Sequence, residues 1–413
     1  MLGQTFILLF SVMPVAGGLC ADPNSLAAAN WPQFHGPRRD NISTETGLLK
    51  RWPEGGPNLL WQADGLGEGW STVAIQGGRI YTAGEIGSNT LITALDLQGK
   101  RLWQIPNGNA SRCPYPGARS TPTIDDNRLY HINSSGQILC ADARTGRRLW
   151  TLDTVEKFGC RVPRWGIAES LLVVGDNVIC TPGGSNVLMV ALDKRSGKTV
   201  WTTPTTGDAP GYTAPILVGR QIVTMTSASA IGVDADTGEL RWRYDQPARY
   251  DVNASQPIYH EGHIAIFGTW GIGATLLKRT DKGVEAVWHT TELDNEHGGV
   301  VLVNGYLYGH ADGNHKHRHW ACLEWKSGRT MWTSDEMPGP RSGTVSCADG
   351  MLYLMDEKCN VALARADPQK LEIVSRFQLP APGKNPSWAH LVICGGRLYV
   401  RYGSSLYVYD IRR

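Results

Sequence analysis

The sequence predicts an all-β protein: an eight-bladed β-propeller of four-stranded blades, its last blade closed by an N-terminal strand. Three observations carry that expectation. A twelve-residue wording, ALDLQGKRLWQI at 94–105, returns as ALDKRSGKTVWT at 191–202, and with drift at 140–152, 232–244 and 322–334. The aromatic residues that end the copies (Trp61, Trp103, Trp150, Trp201, Trp242, Trp288, Trp332 and Phe377) follow one another at intervals of 41 to 51 residues. Between them, short apolar runs alternate with glycine-rich turns, and no apolar stripe of helical period is visible.

The elements follow in chain order. Phe6 to Val15 is an apolar run followed by small residues up to Cys20, which reads as a signal peptide over 1–20 and hence an exported, periplasmic or envelope-associated protein. The run is too short to span a bilayer comfortably, and Leu19 replaces the small residue that a lipoprotein signal needs before its cysteine. Residues 21–413 read as one propeller domain, with 31–57 as an N-terminal extension packing on it. The 40 Lys and Arg nearly balance the 38 Asp and Glu, so charge gives no reason to expect nucleic acid or an anionic membrane as partner. Only 19% of residues are charged and 41% are hydrophobic, which argues against disorder. A monomer is expected. Most cysteines, Cys140, Cys180, Cys322, Cys347 and Cys394 among them, sit in apolar strand-like runs and read as buried thiols. Cys113 and Cys160 lie in loops of consecutive repeats, where an exported protein has the option of a bridge.

Each repeat explains its own wording. In D-x-x-[TS]-G-[KRE] the aspartate accepts hydrogen bonds from turn N–H groups and the glycine takes a positive φ, joining the third and fourth strands of a blade. The tryptophan then falls on the outermost strand, where its flat ring can wedge against the next blade. Trp61, Trp103, Trp150, Trp201, Trp242, Trp288 and Trp332 are therefore read as structural docking residues. Weaker copies occur at 276–290 and 363–377, the latter ending on Phe377. The chain stops at SLYVYDIRR, where a tryptophan strand should follow. PNLLWQA around Trp61 supplies it from the start of the chain and brings the count to eight.

A site is expected at the loops entering the innermost strands, because these loops all open on one face around the axis. The inner-strand pattern, from STVAIQGG to AHLVICGG, is preceded in turn by Trp70, Arg119, Ala168, Tyr212, Ala254, His297, Arg341 and Trp388. Trp165 and His390 belong to the same rim, as does Arg164. Aromatic platforms with guanidinium donors suit a sugar, a planar cofactor or an anion; the alternative is that these side chains simply fill the channel. His297 and Arg341, in consecutive repeats, are the candidate catalytic pair if there is catalysis. In HADGNHKHRHW, His310, His315, His317 and His319 are candidate metal ligands, weighed against a solvated basic hairpin.

The repeated ALD-x-x-[TS]-G-[KR]-x-x-W resembles the motif of pyrroloquinoline-quinone (PQQ)-like propellers, which include quinoprotein alcohol dehydrogenases and the assembly lipoprotein BamB. NWPQFHGPRRDNIS and LLKRWPEGGPNLLW resemble an exported bacterial subfamily, and the likeness covers residues 31 to 413. It implies the fold and leaves the chemistry open. The quinoprotein reading implies PQQ on a tryptophan floor with Ca²⁺ as Lewis acid. However, no Cys-Cys dipeptide is present, and the acidic residues near the channel are few: Glu68, Glu169, Asp208, Asp251, Asp294 and Glu296. The expectation is therefore a BamB-like binding or assembly module, without a firm cofactor, holding a protein, carbohydrate or small molecule at the rim. The alternatives are a PQQ-dependent alcohol or sugar dehydrogenase and a carbohydrate-active lyase or hydrolase.

Overall fold

The computed structural model describes residues 28–312, 318–337, 342–380 and 385–413. The segment read as a signal peptide, together with His315, His317 and Arg341, lies outside the described residues. Within them the strands form eight antiparallel four-stranded blades, one of which carries a fifth, parallel strand. Blade 1 runs from Ala74–Gln76 out to Arg101–Asn109, and blade 7 from Gly343–Ala348 to Ile373–Gln378. Blade 8 has three strands from the C-terminus, and Asn58–Ala63 pairs antiparallel with Ser405–Asp410 as its fourth. That is the closure the sequence implied.

Eight apolar clusters fill the eight gaps between neighbouring blades; Ile80 with Val408, and Tyr353 with Leu398, are examples. The repeat supplies a common joint across most of them. Trp61, Trp103, Trp150, Trp201, Trp288 and Trp332 each donate the indole N–H to a backbone carbonyl in the next blade's outer turn, at 2.9–3.2 Å. The turn folds as its wording requires. Asp142 accepts from the Thr145 N–H at 2.8 Å and its hydroxyl at 2.7 Å, and Gly146 sits at φ +74. A Cβ on Gly146 would meet the Trp103 ring at 2.9 Å, so glycine serves both the turn and the joint. Trp242 departs from the pattern and donates to Gln221 Oε1 within its own blade. The reason is in the sequence: the facing segment 276–290 lacks D-x-x-[TS]-G, and its strands run on to a tight Thr280–Gly283 turn.

Residues 31–42, the first part of the 31–57 segment read as an extension packing on the propeller, lie inside the ring as a hairpin-shaped loop. Trp31 exchanges two 2.7 Å backbone hydrogen bonds with Ile75 of blade 1, and the Pro32 carbonyl accepts from Ile124 of blade 2. The Arg39 guanidinium donates to the Ser170 and Leu171 carbonyls at the entry to blade 3 and to Pro215 at blade 4. Gln256 of blade 5 reaches the Arg39 carbonyl, and Asn41 Nδ2 bonds Val345 O and Ser346 Oγ of blade 7. Only a segment on the axis can touch blades on opposite sides of the ring. His35, Gly36, Arg39 and Asn41 all take positive φ at its tip, three of them non-glycine. Such strain persists only where surrounding contacts over-determine it.

Cys113 and Cys160 are separate free thiols, so the expected option of a bridge is not taken. Cys160 is buried in the cluster between blades 2 and 3, whereas Cys113 turns to Ser111 Oγ.

Candidate functional site

The loops entering the inner strands surround a cavity of about 450 Å³ on the axis. Trp70, Arg119, Ala168, Tyr212, Ala254, His297 and Trp388, every described residue at the repeated register position, line it. So do Trp165 and His390, and Glu296 of the acidic residues expected near the channel. Sequence reasoning missed Phe34, Tyr115, Trp270 and Arg318, which line it as well. Phe34 comes from the hairpin, whose insertion no repeat could announce. Trp270 and Tyr115 sit in irregular loops at φ +51 and +59, a conformation that bulky residues rarely take.

The cavity is a cup with aromatic walls. On one side Trp388 stacks on His297, with centroids 4.4 Å apart and planes 15° apart, and Trp70 tilts against Trp388 at 4.8 Å. The indole N–H groups hold these rings in place: Trp70 donates to the Pro386 carbonyl at 3.1 Å and Trp388 to Glu357. Across the cup Trp165 and Tyr212 face each other at 6.1 Å, and the Trp165 backbone N–H donates to the Tyr212 hydroxyl. Rim side chains thus stack on one another, as the filled-channel alternative expected, and still enclose a space.

The floor belongs to the hairpin. Phe34 stacks on His35 at 3.9 Å, and His35 Nε2 lies 2.8 Å from His390 Nδ1. His390 Nε2 in turn lies 2.7 Å from the His297 carbonyl. Burial pushes His390 down to about 4 and His35 well below the usual histidine range.

Charge in the cup is uneven. Arg119 lies over Trp70, 4.9 Å from the ring centre, and donates to the Gly117 carbonyl at 2.8 Å and the Tyr115 carbonyl at 2.6 Å. Burial lowers its pKa, and no carboxylate among the described residues comes within ion-pair distance of it. Arg318 faces Asp312 at 3.6 Å. Among the described residues Glu296 is the one carboxylate lining the cup, 3.5 Å from His297 Nε2.

The other acidic residues are engaged elsewhere. Glu169 accepts from the Thr181 N–H and hydroxyl, and burial pushes it up to about 7. Asp208 is held by Thr226, Ser229 and Arg243, and Asp294 by the Gly271 N–H. Of the histidine run, His310 is buried edge-on against Trp320 and His319 contacts the Glu292 carbonyl. Among the described residues, no three His, Cys, Asp or Glu side chains converge as a metal site would require. No described helix is long and apolar enough to cross a membrane.

Comparison with known proteins gives the family context. Residues 53–158 and 88–334 match the family profile described as outer membrane protein assembly factor BamB. BamB of Yersinia pestis is 22% identical over 279 residues, covering 65% of this chain and 68% of that protein. Quinohemoprotein alcohol dehydrogenase ADH IIB of Pseudomonas putida is 30% identical over 140 residues, 31% of this chain. The match spans only 20% of that enzyme's length. Among solved structures, BamB from Moraxella catarrhalis aligns with a TM-score of 0.62 at 16% identity, covering 85% of this chain and 97% of that one. A europium-containing methanol dehydrogenase aligns with a TM-score of 0.69 at 12% identity, covering 93% and 92%. At such identities the structural likeness is one of fold.

Proposed function

The chain belongs to the BamB-like family of PQQ-type β-propellers, and from that premise we propose that it is an exported binding module whose ligand sits in the aromatic cup. The ligand is a small ring-bearing molecule, or the ring at the end of a longer one. One observation carries this reading: the side chains at seven register positions, far apart in sequence, line one 450 Å³ space with tryptophan walls. Pockets of some 300–1,000 Å³ with apolar walls and a few polar groups are the usual form of small-molecule sites. The relatives named as outer membrane assembly factors support export and a binding role. A protein partner presenting one side chain to the cup is the second form this role can take.

The quinoprotein reading fits less well. The rings and Arg119 would suit a planar polyanion, but Glu296 alone among the described carboxylates lines the cup. Glu169, Asp208 and Asp294 are held elsewhere, and among the described residues no group of carboxylates converges as Ca²⁺ would require. We therefore derive no redox step.

The test is a tryptophan-fluorescence titration of the purified protein with mono- and oligosaccharides, in wild type and in Trp388→Ala. Saturable quenching that weakens about fivefold in Trp388→Ala is expected, since an aromatic contact contributes on the order of 1 kcal/mol. Binding that is indifferent to Trp388→Ala and Trp165→Ala, in folded variants, would move the site elsewhere.

A further inference from the structure

Two features of the cup say more about what enters it. The first is the hairpin. Phe34 forms the floor, and behind it His35 bonds His390 while Arg39 is tied to the carbonyls of blades 3 and 4. The channel is stoppered on the axis, so whatever enters the cup also leaves by the same mouth. A polymer cannot thread it and can offer only an end or a side group.

The second is Arg119. A guanidinium carries five N–H donors. Two point at the Gly117 and Tyr115 carbonyls, and the Cys113 thiol lies alongside. The neighbouring acid, Glu85, is itself buried and accepts from the Ser111 N–H at 2.7 Å; it attracts Arg119 without forming a direct ion pair with it. By contrast, Arg318 has Asp312 at 3.6 Å, and Glu296 lies 3.5 Å from His297 Nε2. Among the described residues lining the cup, Arg119 thus forms no direct ion pair, although the buried Glu85 attracts it from farther off, and it sits in a concave, partly desolvated wall where an anion is attracted strongly.

We propose that the cup recognises the acidic end of a molecule: a six-membered ring carrying one carboxylate, its charge meeting Arg119 and its face lying on the tryptophan wall. This rests on the reading of the cup as the binding site. The same chemistry can come from a uronic acid or an aryl carboxylate, which lay different faces on tryptophan.

The test uses the full chain and calorimetric titration with D-galacturonate, D-galactose and benzoate, followed by galacturonate oligomers of increasing length. Galacturonate or benzoate is expected to bind at least tenfold more tightly than galactose, and the stronger of the two identifies the source. Arg119→Gln should abolish that preference, Arg119→Lys should keep part of it, and raising the salt should erode it. For the oligomers, affinity per chain end should stay constant with length. Equal binding of galactose and galacturonate would overturn the anion assignment while leaving the cup as the site. Affinity rising in proportion to chain length would overturn end recognition. If none of the three probes binds and Trp388→Ala changes nothing, this proposal and the reading beneath it fall together.

Discussion

His390 can be assigned a tautomer from its neighbours alone. Its Nε2 lies 2.7 Å from the His297 carbonyl, which only accepts, so Nε2 carries the proton. In a neutral ring Nδ1 is then bare and accepts from His35 Nε2–H at 2.8 Å. Burial keeps both rings neutral. The same holds by burial for His131, pushed down to about 4, and His310, to about 3. A histidine depressed in the folded state is uncharged there while its unfolded counterpart binds a proton below about 6.5. Its stabilisation is thus complete above that pH and is lost as pH falls toward the folded value, at up to about 1.4 kcal/mol per unit and group. Glu169, raised to about 7, acts oppositely, because the folded state holds its proton first as pH falls from 7 toward 4.5. Glu85, also raised by burial, acts as Glu169 does, and four histidines outweigh two glutamates. The urea midpoint is accordingly expected to drop steadily between pH 6.5 and 4.5, and a flat midpoint over that range would contradict the buried neutral histidines.

At the scale of the element, the outer turn and the tryptophan that meets it form one joint. Trp201 is buried, bonds the Ala235 carbonyl at 3.1 Å, and covers Gly238 so closely that a Cβ there would lie 2.5 Å from its ring. Trp201→Ala should cost on the order of 3–5 kcal/mol, in the usual range for emptying a buried aromatic site. Gly238→Ala should also destabilise strongly, through both the clash and its φ of +76. Denaturant unfolding would show both losses, while ligand binding in the cup, which neither residue lines, should be retained by whatever fraction stays folded. Joints of this kind were legible in the sequence because each blade meets the same physical need, so the same residues recur at a readable period. The exception was legible too. The weak copy at 276–290 marks the place where Trp242 turns back to Gln221. The inner-strand register carried over as well, and Trp70, Tyr212 and Trp388 could be aligned before their common cavity was known. What had no period could not be read. Trp270 and Tyr115 reach the cup from turns that lie outside the repeated wording.

The whole molecule depends on its N-terminal segment twice, in separable ways. Asn58–Ala63 closes the ring as the outer strand of blade 8. Residues 31–42 close the channel, and contacts such as Arg39 to Ser170, 131 residues away in sequence, are the kind that no local pattern encodes. The two roles predict different fates for two truncations. A chain starting at residue 43 keeps the closing strand and loses the stopper. It should retain its β-sheet circular dichroism and a single, lower melting transition, because the backbone groups freed at Ser170, Leu171, Pro215 and Val345 are opened to water rather than left buried. A chain starting at residue 64 lacks the closing strand as well. Its eighth blade would expose an unpaired edge at Ser405–Asp410 and a broken cluster around Trp61, a template for aggregation. Hydrogen exchange should then separate the two: protection lost at the inner strands of blades 3, 4 and 7 in the first, and lost first across blades 8 and 1 in the second. Identical behaviour would mean that the hairpin is as integral to ring closure as the strand that follows it.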